Sequence, residues 1–152
     1  MRHSLICAAA LAVALTGCGQ GGSGRTPAKA ASDTQPPRPA PTACADKVPA
    51  KKLPGGFPKA FRLPPGTVVT GSEMRSGDLM IVTATSPQEF RTVLSYFNSE
   101  LPKAGFKPSG GEVEDNDAES NFTGASYRGR WTLRALLACD GDTLITVLLT
   151  PR

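Results

Sequence analysis

Few side chains in this 152-residue sequence can do covalent chemistry, and those that can are unevenly spread. The one concentration of carboxylates is Glu112, Glu114, Asp115, Asp117 and Glu119. Paired carboxylates cut glycosidic bonds when an apolar pocket keeps one of them protonated. These acids instead follow Gly110 and Gly111 and have no aromatic neighbour except Phe122, so they read as a solvated hairpin connection. Alternating acids also suit a hard cation, but the EF-hand pattern fails at its essential points. Ser120 stands in the glycine position, and Ser126 stands where the bidentate glutamate belongs. No metal ion and no cofactor is expected.

Cations and aromatic rings interleave in one place, over Tyr127, Arg128, Arg130, Trp131 and Arg134. Guanidinium forks bind anions bidentately, and aromatic faces take cations or sugars. Arg128, Arg130, Trp131 and Arg134 are therefore a candidate ligand site. The plainer alternative is a solvent-facing strand side with Trp131 turned into the core. Asn121-Phe122-Thr123 matches a glycosylation sequon and reads as a coincidence of common residues.

These residues must be held by a small domain. Thr67–Ser72 and Leu79–Thr85 are rich in β-branched and apolar residues and are split by Arg75-Ser76-Gly77-Asp78, which predicts a hairpin. Ser86-Pro87-Gln88-Glu89 has the order of a capping box, with serine as N-cap and proline at the first helical position. Phe90, Val93, Leu94, Phe97 and Leu101 then fall on one stripe, so a helix is expected from about Pro87 to Lys103. Pro102 sits awkwardly in its last turn, with an earlier helix end as the alternative, and Gly105 suits a left-handed C-cap. Phe106–Glu114, Asn121–Tyr127, Arg130–Cys139 and Thr143–Thr150 read as strands of an antiparallel meander. In the third of these, Trp131, Leu133, Ala135, Leu137 and Cys139 are expected to face the core, and Asp140-Gly141-Asp142 is expected to turn the chain into the last strand. The fold class is α+β, one amphipathic helix on a mostly antiparallel sheet in the order ββαββββ.

The amino terminus has a different character. Met1, Arg2 and His3 precede an apolar run from Leu5 to Leu15, and then comes Leu15-Thr16-Gly17-Cys18, the order of a secretory signal. The run is too short for a membrane span, which needs roughly 20 residues. Leu-Thr-Gly-Cys resembles the bacterial lipobox. The resemblance implies that residues 1–17 are a signal peptide and that Cys18 receives a diacylglyceryl group and becomes the new N-terminus. Two acyl chains suffice for stable anchoring where one does not.

Residues 19–43 are dominated by small residues, proline and polar side chains, too little apolar surface to offset the entropy of ordering. They read as a tether between the lipidated Cys18 and a single domain over 44–152, with a reach of about 25 to 30 Å. The formal charge of +4 falls to +3 once Arg2 leaves with the signal. Arg25, Lys29 and Arg38 against Asp33 put +2 of that in the tether, which leaves +1 for the domain. That charge, with no basic run longer than Lys51-Lys52, argues against nucleic acid as a partner.

With Cys7 removed and Cys18 lipidated, Cys44 and Cys139 remain as a pair in an oxidising compartment and are expected to form a disulfide, with two free thiols as the alternative. Signal removal also takes His3, the only histidine. Without imidazole or thiolate, Ser-His-Asp and Cys-His catalysis and the usual zinc sites are excluded.

Leu63-Pro64-Pro65-Gly66 before a strand, then a helix carrying Tyr96-Phe97 and Leu101-Pro102-Lys103-Ala104-Gly105-Phe106, is similar to surface lipoproteins of high-GC Gram-positive bacteria. The similarity runs from about Leu53 to Arg152 and implies an envelope setting and a fold. The expected protein is a lipid-anchored lipoprotein on the extracytoplasmic face of the cell membrane. Its domain binds an envelope protein or a cell-wall ligand and is not an enzyme. The alternatives are a carboxylate-dependent enzyme acting on cell-wall polymer and a structural accessory subunit of an envelope complex.

Overall fold

A computed structural model describes residues 44–152. The expected signal peptide, lipidated Cys18 and tether lie outside the described residues. The chain begins with a short 3-10 turn, Ala45–Lys47, followed by an irregular strap to Thr67. Then come β1 (Val68–Arg75), β2 (Leu79–Ser86), helix α1 (Phe90–Lys103), β3 (Lys107–Val113), β4 (Asp117–Thr123), β5 (Tyr127–Ala135) and β6 (Thr143–Pro151). All six strands form one antiparallel sheet in the order β1-β2-β6-β5-β4-β3. The architecture is α+β and mostly sheet, with the elements in the order ββαββββ.

The period-two alternation of the strands sorts their side chains onto two faces. Met80, Val82 and Ala84 of β2, Ile145, Val147 and Leu149 of β6, Trp131 and Leu133 of β5, and Ala118 and Phe122 of β4 all point to one face and are buried. Helix α1 brings Phe90, Val93, Leu94, Phe97 and Leu101 against that face. The strap adds Phe61, whose ring lies 5.2 Å from Phe106, 5.3 Å from Phe122 and 6.1 Å from Phe97. The strap is fixed along its length by backbone and side-chain bonds. Lys51 N–H donates to the Val69 carbonyl at 2.7 Å, Tyr127 Oη to Gly56 at 2.9 Å and Tyr96 Oη to Leu63 at 3.2 Å. Pro64-Pro65-Gly66 makes the turn into β1, with Gly66 at φ +78 and Thr67 N–H bonded to the Pro64 carbonyl.

Several expectations are corrected. The helix begins at Phe90 with Glu89 as N-cap, not at Pro87. Ser86 is the last residue of β2, held in register opposite Thr143, and its buried hydroxyl makes no hydrogen bond among the described residues. Ladder pairing thus wins over the capping box. Pro102 stays inside the helix, which ends in a Schellman motif. Gly105, at φ +87, donates to the Pro102 carbonyl, and Phe106 N–H donates to the Leu101 carbonyl. β4 runs from Asp117 to Thr123 rather than from Asn121 to Tyr127, because its pairing with β3 extends back to Ala118 and Gly124-Ala125-Ser126 forms a turn closed by Gly124 N–H to the Tyr127 carbonyl. β5 ends at Ala135, so the alternation stops there. Leu137 is 83% exposed instead of core-facing, and Cys139 is buried in a loop, not in a strand.

Gly129 sits on the covered face, between Phe122 and Leu149 in the ladder. A Cβ there would collide with the Leu148 carbonyl and lie 2.8 Å from Phe122 Cζ. Gly71 is a glycine of β1 whose added Cβ would make ordinary contact with Thr83, at 3.5 Å. Urea denaturation should therefore show Gly129→Ala less stable by about 1 to 3 kcal/mol through overpacking, while Gly71→Ala stays within about 0.5 kcal/mol of the parent, as benign surface changes do. Equal effects of the two substitutions would contradict this packing.

Candidate functional site

The face of the sheet opposite α1 carries the residues of the other parity. Across its centre run Thr83, Thr146, Thr132 and Glu119, neighbours in successive strands. One row toward the β5 N-terminus lie Ile81, Leu148, Arg130 and Asn121, and beyond them Thr150, Arg128, Thr123 and Lys107. One row the other way lie Thr85, Leu144, Arg134 and Asp117. The middle of this face is half-buried threonine and aliphatic surface, and its β5 column is cationic.

The candidate residues Arg128, Arg130, Trp131 and Arg134 divide between the two faces. Trp131 is 4% exposed and packs on Phe97 with ring centroids 5.3 Å apart, whereas the three arginines project on the opposite side and are exposed. The strand period of two places residue 131 on the other side from 128, 130 and 134. A combined stacking and ion-pairing site from all four residues does not form. Arg130 meets Glu119 at 3.1 Å and donates through Nε to Asn121 Oδ1 at 3.2 Å. Arg134 Nε donates to Asp117 Oδ2 at 2.7 Å. The fold adds Lys107 beside Arg128, a residue that sequence reasoning missed. The signal for it was the inward Phe106, which turns the next residue outward.

The acidic segment resolves into three parts. Glu112 lies on edge strand β3 directly opposite Glu119 of β4, Glu114-Asp115-Asn116 forms the turn, and Asp117 opens β4. Glu112, Glu114 and Asp115 are exposed, while Asp117 and Glu119 are engaged by arginines. None is enclosed by apolar side chains, the environment that a carboxylic general acid requires. Asp115 comes within 3.8 Å of Arg91 across a shallow cleft of about 320 Å³, which Glu89, Leu137, Asp140 and Asp142 also line.

At the same end of the sheet Cys44 and Cys139 form a disulfide, with Cα atoms 5.4 Å apart. Asp142 lies beside it and accepts the Ala45 N–H through Oδ2 at 2.6 Å, fixing the first turn of the domain. Cys44, Cys139 and Asp142 gather closely enough to ligate a metal, but sulfurs bonded to one another offer no thiolate. No described helix is long and apolar enough to cross a membrane.

No protein-family model matches the chain, and no curated protein matches it. The arrangement itself is that of a surface able to hold a ligand by charge and hydroxyl groups, with no enclosed reaction centre among the described residues.

The disulfide bridges residues 95 apart. In the chain-entropy account a loop of that length stabilises by about 4 to 5 kcal/mol. Reduction should lower the urea midpoint accordingly, and the variant Asp142→Ala, which orphans the Ala45 N–H, should cost about 1 to 3 kcal/mol with the disulfide intact. An unchanged midpoint in dithiothreitol would refute the structural role of the bridge.

Proposed function

We propose that the chain is an extracytoplasmic lipoprotein, anchored to the cell membrane through Cys18, whose domain is a non-catalytic binding or interaction module. The observation that carries the reading is the Cys44–Cys139 disulfide, a pairing that belongs to oxidising compartments and joins the start of the domain to the loop before its last strand. It agrees with the secretory signal and with Leu15-Thr16-Gly17-Cys18. The tether of residues 19–43 then leaves the domain within a few tens of ångströms of the bilayer.

The non-catalytic reading draws on side-chain inventory. Once the signal is removed, the chain has no histidine, and its last two cysteines are bonded to each other. The carboxylates of 112–119 are solvated or ion-paired. What remains is the open sheet face, with Arg128, Arg130 and Arg134 among threonines, which suits recognition of an anionic ligand at the envelope.

Fractionation of cells and mass spectrometry of the mature N-terminus test the anchor. The parent should partition with membranes and carry diacylglycerol on Cys18, and Cys18→Ala should lose both properties. Membrane retention of that variant with an unmodified N-terminus would overturn the proposal. Incubation with purified cell-wall polymer tests the absence of catalysis, and turnover lost in Glu112→Gln or Asp117→Asn would replace this reading with an enzymatic one.

A further inference from the structure

Metal-ligating atoms gather most closely around the disulfide. Among the described residues, a sulfur of Cys44, a sulfur of Cys139 and a carboxylate oxygen of Asp142 all lie within 4.8 Å of one another. They border a cleft of about 390 Å³ that Asp46 and Asp140 also line, together with the cation Lys47. The donors come from two short segments, Cys44-Ala45-Asp46 and Cys139-Asp140-Gly141-Asp142, each a cysteine followed closely by acids. Bonded to each other, the sulfurs exclude zinc. Parted, they are ligands of the kind it prefers.

We propose that Cys44, Cys139 and Asp142 form a zinc site when a dithiol reductant opens the disulfide, so that bridge and metal are alternative cross-links of the same two segments. The inference goes beyond the anchored-module reading and does not depend on it, since every donor lies within residues 44–152.

Ligand atoms on a tetrahedral zinc stand about 2.0 to 2.3 Å from the metal and hence about 3.5 to 3.8 Å from one another. Donors already within 4.8 Å reach that spacing by side-chain rotation. The backbone that presents them is shaped by its own hydrogen bonds. Cys139 N–H donates to the Leu136 carbonyl at 2.8 Å, Leu136 N–H to that of Asp142 at 2.9 Å and Asp142 N–H to that of Cys139 at 3.2 Å, which holds Cys139 and Asp142 at the two ends of one turn. Lys47 N–H closes the turn that begins at Cys44, at 3.0 Å. Asp142 accepts the Ala45 N–H through Oδ2 at 2.6 Å, which orients the carboxylate as outer-shell hydrogen bonds do in metal sites and leaves Oδ1 for the ion.

Two thiolates and one carboxylate select zinc over calcium or magnesium, which take oxygen ligands alone. The cleft supplies the fourth ligand, water or the carboxylate of Asp46 or Asp140. In the opening step a thiolate of the reductant attacks one sulfur of the bridge, forming a mixed disulfide and releasing the other cysteine. The second thiol of the reductant then closes the reductant's own disulfide and releases the remaining cysteine. The protein gains two electrons and two protons, the dithiol loses them, and zinc binding sends the two thiol protons to solvent.

The test uses the full-length purified protein, reduced with dithiothreitol and freed of it by gel filtration under nitrogen. Cobalt(II) is the probe, because tetrahedral thiolate coordination gives a near-ultraviolet charge-transfer band and intense visible bands, and zinc is then added to displace it. The double variant Cys44→Ser/Cys139→Ser keeps Cys7 and Cys18 and sets the background. The reduced parent should develop the bands above that background and lose them to zinc, and the oxidised parent should show the background alone. Asp142→Asn keeps an oxygen acceptor for the Ala45 N–H but removes the carboxylate ligand. It should bind about tenfold more weakly or worse, at least the loss that follows from changing an outer-shell partner. Asp115→Asn, in the neighbouring cleft, should bind like the parent.

Zinc should also raise the urea midpoint of the reduced parent, and raise that of reduced Asp142→Asn less. Absence of the bands in the reduced parent, or equal binding by parent and Asp142→Asn, would overturn the proposal. If reduction unfolds the metal-free chain, failure of zinc to return the parent's circular dichroism spectrum would overturn it equally.

Discussion

A single helix is too narrow for the sheet it covers. Six strands at about 4.8 Å spacing make a surface roughly 24 Å wide, and a helix with its side chains spans about 10 to 12 Å. The face must be completed by something other than regular structure. Here the strap between Cys44 and Val68 does it, and Phe61 is its principal contribution, buried among Phe97, Phe106 and Phe122. The positions of the disulfide, of Tyr96 and Tyr127 as donors to the strap, and of the Pro64-Pro65-Gly66 turn all follow from the need to hold that irregular segment down.

The regular parts of this arrangement were readable from residue order. The apolar stripe of the helix and the alternation of β2, β5 and β6 carry strong periodic signals, and the structure follows them. What escaped was decided by tertiary competition. Ser86 has the chemistry of an N-cap, but its register opposite Thr143 keeps it in the sheet. Leu137 continues the alternation of Trp131 and Leu133 on paper, yet the strand has already ended and the loop turns it to solvent. Pro58, Pro64, Pro65 and Gly66 confine the second half of the strap to turns and extended chain. That Phe61 plugs the core was not readable, because one aromatic between prolines has no period to betray it.

The candidate site divides in the same way. Placing the arginines on an exposed strand side needed only the period of two, and so did the alternative that put Trp131 in the core. Lys107 joins them through two successive hairpin pairings, with Thr123 and then Arg128, which a linear scan does not show. The acidic group likewise looks unitary in sequence but is split by its own hairpin into an exposed position on β3, a turn and two ion-paired positions on β4. The arrangement of charge over the open sheet is thus set by strand register more than by any single residue type.

The covalent bridge at Cys44 also sets how the domain bears mechanical load. A pull on the chain ahead of Cys44 passes through the sulfur atoms directly into the loop joining β5 and β6, two central strands. The strap from Ala45 to Thr67 is bypassed and is not unzipped from the edge strand. The hydrogen bonds that seal the aromatic core therefore lie off the line of force. A domain built this way can be pulled at Cys44 without first losing the segment that closes its interior.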